Sequence, residues 1–224
     1  MATKVVKIEK SLLKKNDVAA SENRSLFRDN GVVAINLLSS PGAGKTELLV
    51  KTSRHFNDNT DLRVAVSVGD LQTEADAERI ASAGVPVVQI NTATACHLDA
   101  SMVQKSFEHI DLDSTDILFI ENVGNLVCPA SFDLGEHFKV VVLSTTEGEE
   151  KPLKYPPIFQ SADCVCINKT DLLPYIDFDM EVCRGNLRKV CPRAKVFEFS
   201  CRSGEGLNQW FSWIADAMRS LHGD

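Results

Sequence analysis

The run Ser39-Ser40-Pro41-Gly42-Ala43-Gly44-Lys45-Thr46 has the composition of a phosphate cradle. Gly42 and Gly44 let successive backbone N–H groups turn inward around phosphate oxygens. A helix opening at Lys45 adds its positive end. Lys45 is suited to reach the β- and γ-phosphates, and the Thr46 hydroxyl oxygen to meet Mg2+. Ser40, Pro41 and Ala43 complete the loop, and Ser39 stands where the common pattern has its first glycine.

A second constellation lies far downstream, at Asn168-Lys169-Thr170-Asp171. A carboxylate at the fourth position accepts two hydrogen bonds from guanine, at N1–H and the exocyclic amine. Adenine offers neither donor on that edge and would leave Asp171 unpaired, so the pair of motifs selects GTP over ATP. Asn168 supports the loop and touches the base, while the stem of Lys169 covers its face. Ser200 and Cys201 follow the last predicted strand, where their backbone amides can approach the guanine oxygen.

Two acids end apolar runs, Asp70 and Glu121, and Gly124 follows three positions after the second. Glu121 is a candidate for holding Mg2+ through a water, and the Gly124 amide for sensing the γ-phosphate. Asp70 can join the magnesium shell or orient the attacking water. Asp76 is the other candidate for the water, and with Thr73 it also reads as a helix-start residue. Asn125 occupies the place of the glutamine that commonly positions water, which predicts slow unaided hydrolysis. Cys96, His97 and Cys128 offer two soft thiolates and an imidazole, a donor set for Zn2+ or Ni2+. The same residues also fit two buried small hydrophobes and a helix cap, and spacing alone leaves both readings open.

The elements that must position these groups alternate along the chain. Strands are predicted at 32–38, 63–68, 87–90, 117–121, 140–144, 164–168 and 195–199. Helices are predicted at 46–56, 73–83, 98–107, 157–161, 178–190 and 207–221. Most strands are apolar on both faces, which implies an α/β fold: a mostly parallel sheet flanked by helices, with ligands at the carboxyl ends of its strands. Residues 1–30 form a separate helical segment packing on the domain 31–224. Its apolar stripe is Leu12, Leu13, Val18, Leu26 and Phe27, and Asn30-Gly31 is its stop signal.

Composition narrows the partners. The chain has 224 residues, 24 basic and 31 acidic, for a net charge of −7. An acidic chain is a poor wrapper of nucleic acid, and no apolar run approaches the ~20 residues of a membrane span. A cytoplasmic location is the expectation. The seven cysteines then read as thiols or metal ligands rather than a disulfide framework.

Together the motifs resemble a known family. The phosphate loop, Gly-Asp-Leu-Gln-Thr-Glu-Ala-Asp-Ala from Gly69, Cys-His-Leu-Asp-Ala from Cys96, Glu-Asn-Val-Gly-Asn-Leu-Val-Cys-Pro-Ala from Glu121, Thr-Glu-Gly-Glu-Glu-Lys-Pro-Leu-Lys-Tyr-Pro from Thr146 and Asn-Lys-Thr-Asp are similar to those of HypB, the hydrogenase nickel-incorporation GTPases. The resemblance runs from about residue 10 to the C-terminus. It implies a P-loop GTPase of the SIMIBI class, a homodimer formed around nucleotide, and a nickel or zinc site at Cys96, His97 and Cys128 near the subunit interface. It implies a lysine, Lys151 or Lys154, that crosses the dimer to the partner's γ-phosphate. A hydrogenase large-subunit precursor and a nickel accessory chaperone are the implied partners. Two departures stand out. The cysteine- or histidine-rich N-terminal stretch of some relatives is missing, so no nickel storage is expected there. Thr92-Ala93-Thr94-Ala95 replaces glycines before Cys96. The rival readings are a urease-type nickel-insertion GTPase and a P-loop small-molecule kinase.

Overall fold

Val33, Ile35 and Leu37 point to one side of a strand and Ala34 and Leu38 to the other, and all five are buried. A strand with two apolar faces needs helices on both, and that is the arrangement in the computed structural model. It describes residues 8–70, 75–92 and 95–222. Thr73, Ala93 and Thr94, together with residues 1–7, lie outside the described residues.

The elements follow in chain order: α1 (Ile8–Asp29), β1 (Val33–Ser39), α2 (Lys45–Asn59), β2 (Val64–Asp70), α3 (Ala75–Ala81), β3 (Val87–Asn91), α4 (Ala100–Ser106), β4 (Ile117–Glu121), β5 (Phe138–Ser144), α5 (Lys151–Lys154), α6 (Pro156–Gln160), β6 (Cys164–Asn168), α7 (Met180–Val190), β7 (Lys195–Glu198) and α8 (Leu207–His222). Among the described residues seven strands form one sheet in the order β3-β2-β4-β1-β5-β6-β7, every pair parallel. The chain leaves β1 towards β2 and β3, returns to insert β4, then moves to the other side with β5. A crevice therefore opens at the carboxyl end of β1, beside β4. In register, Glu121 at the end of β4 pairs with Leu37 of β1 and Val68 of β2.

One face of the sheet packs under α2 and α8 through Leu49, Phe56, Trp210 and Ile214. Trp210 Nε1 donates to Thr52 Oγ1 at 2.9 Å, joining the two helices inside that layer. The opposite face is covered by α1 and α4 at one end and by α6 and α7 at the other. No helix among the described residues is long and apolar enough to cross a membrane.

Three sequence expectations change. The helix expected at 98–107 begins at Ala100, because the Asp99 side chain accepts the Met102 N–H at 2.8 Å and caps it. Cys96 and His97 therefore sit in a bend before the helix rather than at its start, and His97 is not the cap. The segment around Lys151 and Lys154, where the sequence predicts no element, is the short helix α5; a capping box between Ser144 and Glu147 closes the 3-10 turn Thr145–Glu147 that precedes it. The apolar stripe of α1 holds only in part: Phe27 is buried, but Leu12, Val18 and Leu26 are 57%, 61% and 37% exposed. The packed face is Asn16, Ala19, Ala20, Asn23 and Phe27. Small and hydrogen-bonded side chains let that face approach the domain closely, which leucines would prevent.

Candidate functional site: a phosphate cleft beside a thiol–imidazole cluster

The phosphate loop takes its shape from two glycines in left-handed conformations, Gly42 at φ 76° and Gly44 at φ 100°. Gly44 also has no room for a side chain, since a Cβ there would lie 2.4 Å from Asn168 Nδ2. Gly44 precedes α2 and offers no side-chain cap, so the first N–H groups of the helix remain for an anion. Lys45 Nζ donates to Ser39 Oγ at 2.8 Å, which gives the unusual serine a role: it holds the lysine when no phosphate does. Thr46 Oγ1 donates to Glu121 Oε1 at 2.9 Å, while Glu121 Oε2 is buried without a hydrogen-bond partner among the described residues. Burial pulls the Lys45 ammonium below the ordinary lysine range, against the pull of Glu121. Burial likewise pushes Glu121 up to about 7, against Lys45 and the Thr46 hydroxyl.

These groups line a cleft of about 460 Å³ together with Asp70, Asp76, Arg79 and Gly124. A triphosphate fits the loop's open N–H groups. A hard cation fits the Thr46 hydroxyl and the orphaned Glu121 oxygen, an all-oxygen donor pair beside the phosphates. Gly124 packs on Pro41, where a Cβ would meet three atoms of the proline at 3.1 Å. The segment after Glu121 is thereby pressed onto the phosphate loop.

At the end of β6, Asn168 is buried and fully committed. Its Nδ2 donates to the Ala43 carbonyl at 3.0 Å, and its Oδ1 accepts the Lys169 and Cys201 N–H groups at 2.7 and 3.1 Å. Ser200 Oγ donates to Asp171 Oδ1 at 2.6 Å and accepts the Arg202 and Ser203 amides. Within this structure Ser200 and Cys201 brace Asn168 and Asp171. Lys169, at φ 67°, lays its ammonium on the Gly42 carbonyl at 2.7 Å.

Cys96, His97 and Cys128 converge from two different connections. Their ligand atoms all lie within 4.8 Å of one another, with the two sulfurs 2.9 Å apart and Cys96 Sγ 3.7 Å from His97 Nδ1. Cys96 is exposed and Cys128 partly so, whereas the other five thiols are buried. Two thiols and an imidazole at an accessible surface are a donor set that could hold a soft or borderline metal ion such as Zn2+ or Ni2+. The His97 ring rests on Phe132, centroids 4.0 Å apart.

Two asparagines join this cluster to the cleft. Asn122, next to Glu121, accepts the Leu98 N–H at 3.0 Å. Asn125 donates to the Cys96 carbonyl at 3.2 Å and accepts the Val127 N–H at 2.9 Å. Asn125 thus serves the thiol cluster. The segment from Glu121 to Cys128 starts in one site and ends in the other.

Residues 33–198 match the family model described as CobW/HypB/UreG, nucleotide-binding domain. The hydrogenase maturation factor HypB of Azotobacter chroococcum is 53% identical over 212 residues, 95% of this chain and 69% of that one. The HypB of Escherichia coli K12 is 49% identical, over 94% of this chain and 72% of its own. The chain belongs to the HypB family. A crystal structure of HypB from Helicobacter pylori in complex with nickel superposes with a TM-score of 0.87 at 38% identity, covering 92% of this chain and 96% of that one.

Several residues of this HypB-family site escape a reading by motif. Asn122 and the bracing role of Ser200 have no signal beyond a polar residue beside a motif. Arg79 lines the cleft from α3, held by Glu47 at 2.9 Å and Asp76 at 3.5 Å. The two candidate lysines differ sharply. Lys151 is half-buried, 3.5 Å from Glu147 and 5.0 Å from the Tyr155 ring centre. Lys154 pairs with Glu150 at 3.1 Å in open solvent.

Proposed function

We propose that this protein is a GTP-hydrolysing metallochaperone that delivers nickel during maturation of [NiFe]-hydrogenase. The observation that carries the reading is the short segment whose first residue, Glu121, closes the phosphate cleft and whose last, Cys128, supplies a thiol to the metal cluster. Nickel is the cargo here, held by Cys96, His97 and Cys128, and zinc competes for the same soft donors. GTP occupies the loop 40–46 with its base against Asn168, Lys169 and Asp171. Lys45 leaves Ser39 for the β- and γ-phosphates. Thr46 and Glu121 would hold Mg2+, which would offset the negative charge of the phosphates. Asp70 and Asp76 line the cleft where water must be oriented. The Gly124 amide, close on Pro41, senses the γ-phosphate.

Dimerisation around nucleotide completes the site in this reading. Lys151 is the better crossing residue, because its pair with Glu147 and its contact with Tyr155 already restrict its side chain. A cation arriving from the partner neutralises charge that develops in the transition state. Loss of the γ-phosphate relaxes Gly124 and the segment behind it, and the Cys128 thiolate moves with that segment. The nickel is then released to a hydrogenase large-subunit precursor or an accessory chaperone.

The test is the nickel affinity of the protein loaded with GDP and with a non-hydrolysable GTP analogue. The coupling predicts a difference of about 5–150-fold. Equal affinity and stoichiometry in the two states would end this reading.

A further inference from the structure

The two halves of the thiol cluster sit on connections that the sheet does not join. Cys96 and His97 precede α4, and Cys128 opens a short helical turn after β4. Thiolate–metal distances near ~2.3 Å leave little tolerance in the separation of the donors. Asn125 already ties the Cys128 side to the Cys96 carbonyl, and the backbones behind the ligands must also be held to set that separation.

We propose that α1 is the clamp that fixes it, with Asn16 and Asn23 as positioning residues for the metal ligands; the functional part of this inference rests on the metal reading above. Asn16 Oδ1 accepts the Ala100 N–H at 2.9 Å, and its Nδ2 donates to the Asp133 carbonyl at 2.8 Å. Asn23 Nδ2 donates to the Ala100 carbonyl at 2.9 Å and to the Leu134 carbonyl at 3.0 Å. Each asparagine thus ties the Cys96 side, through Ala100, to the Cys128 side, through Asp133 or Leu134. Seven residues apart, they occupy one face of α1 two turns from each other. Ala19 and Ala20 lie buried between them and permit close approach. Gly135 completes the contact, since a Cβ there would lie 2.6 Å from the Ala20 carbonyl oxygen. Arg24 adds two contacts to the Asp133 carboxylate, both 2.8 Å. Phe132, next to Asp133, carries the His97 ring, so the clamp reaches a ligand directly.

Packing alone does not account for these residues. Asn23 is fully buried and its Oδ1 has no hydrogen-bond partner among the described residues. An apolar side chain would avoid that desolvation. The polar side chain is explained by the two carbonyls it joins.

The experiment compares Asn16→Ala, Asn23→Ala, Arg24→Ala and Ala19→Gly in the full chain with two readouts. The first is Ni2+ affinity, with the thiolate-to-nickel absorption band. The second needs no metal: the rate at which diamide, taking up the two thiol hydrogens, joins Cys96 to Cys128. Both asparagine variants should bind Ni2+ about 10–100-fold more weakly, shift the band, and cross-link more slowly. GDP affinity should stay within about two-fold, outside this 10–100-fold range. Arg24→Ala, which removes only an exposed ion pair and keeps the helix, should show a smaller change of the same kind. Ala19→Gly, which loosens the helix without breaking a tie, should leave both readouts near wild type. Unchanged cross-linking and Ni2+ affinity in the asparagine variants, or an equal effect of Ala19→Gly, would overturn the clamp. Slow cross-linking in the asparagine variants of a protein that holds no Ni2+ would sustain the clamp and defeat the metal reading instead.

Discussion

The backbone N–H of Leu98 donates to the side chain of Asn122 at 3.0 Å, across 24 residues of sequence. Leu98 follows the metal-side His97, and Asn122 follows the cleft-side Glu121. The same Asn122 Oδ1 accepts the Val123 N–H at 3.0 Å, and its Nδ2 reaches Asn36 Oδ1 of β1 at 3.4 Å. One buried amide thus meets the connection before α4, the end of β4 and the strand that feeds the phosphate loop. This is a contiguous physical route between the two sites.

Replacing that amide should uncouple them. Asn122→Ala leaves two buried N–H groups without their acceptor, at a cost of about 1–3 kcal/mol each to be read in a denaturant titration. The specific expectation is a loss of the difference in nickel affinity between the GDP and GTP-analogue states. Calorimetric titration of Ni2+ into both loaded forms measures it, and an undiminished difference would remove Asn122 from the route.

Lys45 is buried, and its hydrogen bond to Ser39 is replaceable by phosphate. Lys45→Ala should lower GTP turnover by about 100-fold or more, because one preorganised cation at the transferring phosphoryl group is lost. Ser39→Gly restores the common loop pattern and should leave turnover within a few fold. Single-turnover release of phosphate distinguishes the two. A Lys45→Ala protein with wild-type turnover would displace the lysine from the chemistry.

Base selection should follow Asp171. Asp171→Asn should weaken GTP binding by about 100-fold or more and favour xanthosine triphosphate, whose ring carbonyl can accept from the new amide. Ser200→Ala releases the Asp171 carboxylate from its 2.6 Å bond and should weaken GTP by a smaller factor. Competition against a fluorescent guanine nucleotide gives both values. GTP preference that survives Asp171→Asn would favour the kinase alternative.

A pH effect is expected from His137, outside the site. Its Nδ1 accepts the Ala34 N–H at 3.1 Å, which requires the neutral ring, and burial followed by Arg24 holds its pKa below 6.5. The native state then binds fewer protons than the unfolded chain. The contribution is complete above the unfolded value near pH 6.5 and is lost as pH falls through the native value. His137→Gln should flatten the loss of stability between about pH 7 and pH 5. Thermal melts across that range, run beside wild type, test it, and an unchanged slope assigns the acid sensitivity to other groups.

Much of the fold was legible in the residues, for a local reason. Gly42, Gly44, Lys45 and Thr46 must be contiguous because one turn of backbone wraps one phosphate. Asn168 and Asp171 share one strand end, as a motif proposed to meet a single base requires. The alternation of doubly apolar strands with helices likewise predicts the parallel sheet found. Helix starts shifted by a few residues, as at Met180–Val190 and Ala100–Ser106, because the caps Asp179 and Asp99 settle them by individual hydrogen bonds.

The sequence by itself determined the phosphate-loop motif, the Asn-Lys-Thr-Asp strand end and the family, since each depends on the order of neighbouring residues. It left the Cys96, His97 and Cys128 set ambiguous between ligands and buried hydrophobes, and among the buried residues of α1 it named only Phe27. The tertiary structure brings the three donors together at an accessible surface and shows which face of α1 packs. The cysteine sulfurs meet across 32 residues, Asn122 meets Leu98 across 24, and Asn16 meets Asp133 across 117. Such contacts are set by which connections the strand order brings to one end of the sheet. A buried asparagine becomes favourable only once the carbonyls it ties are placed beside it, and no spacing along the chain announces that.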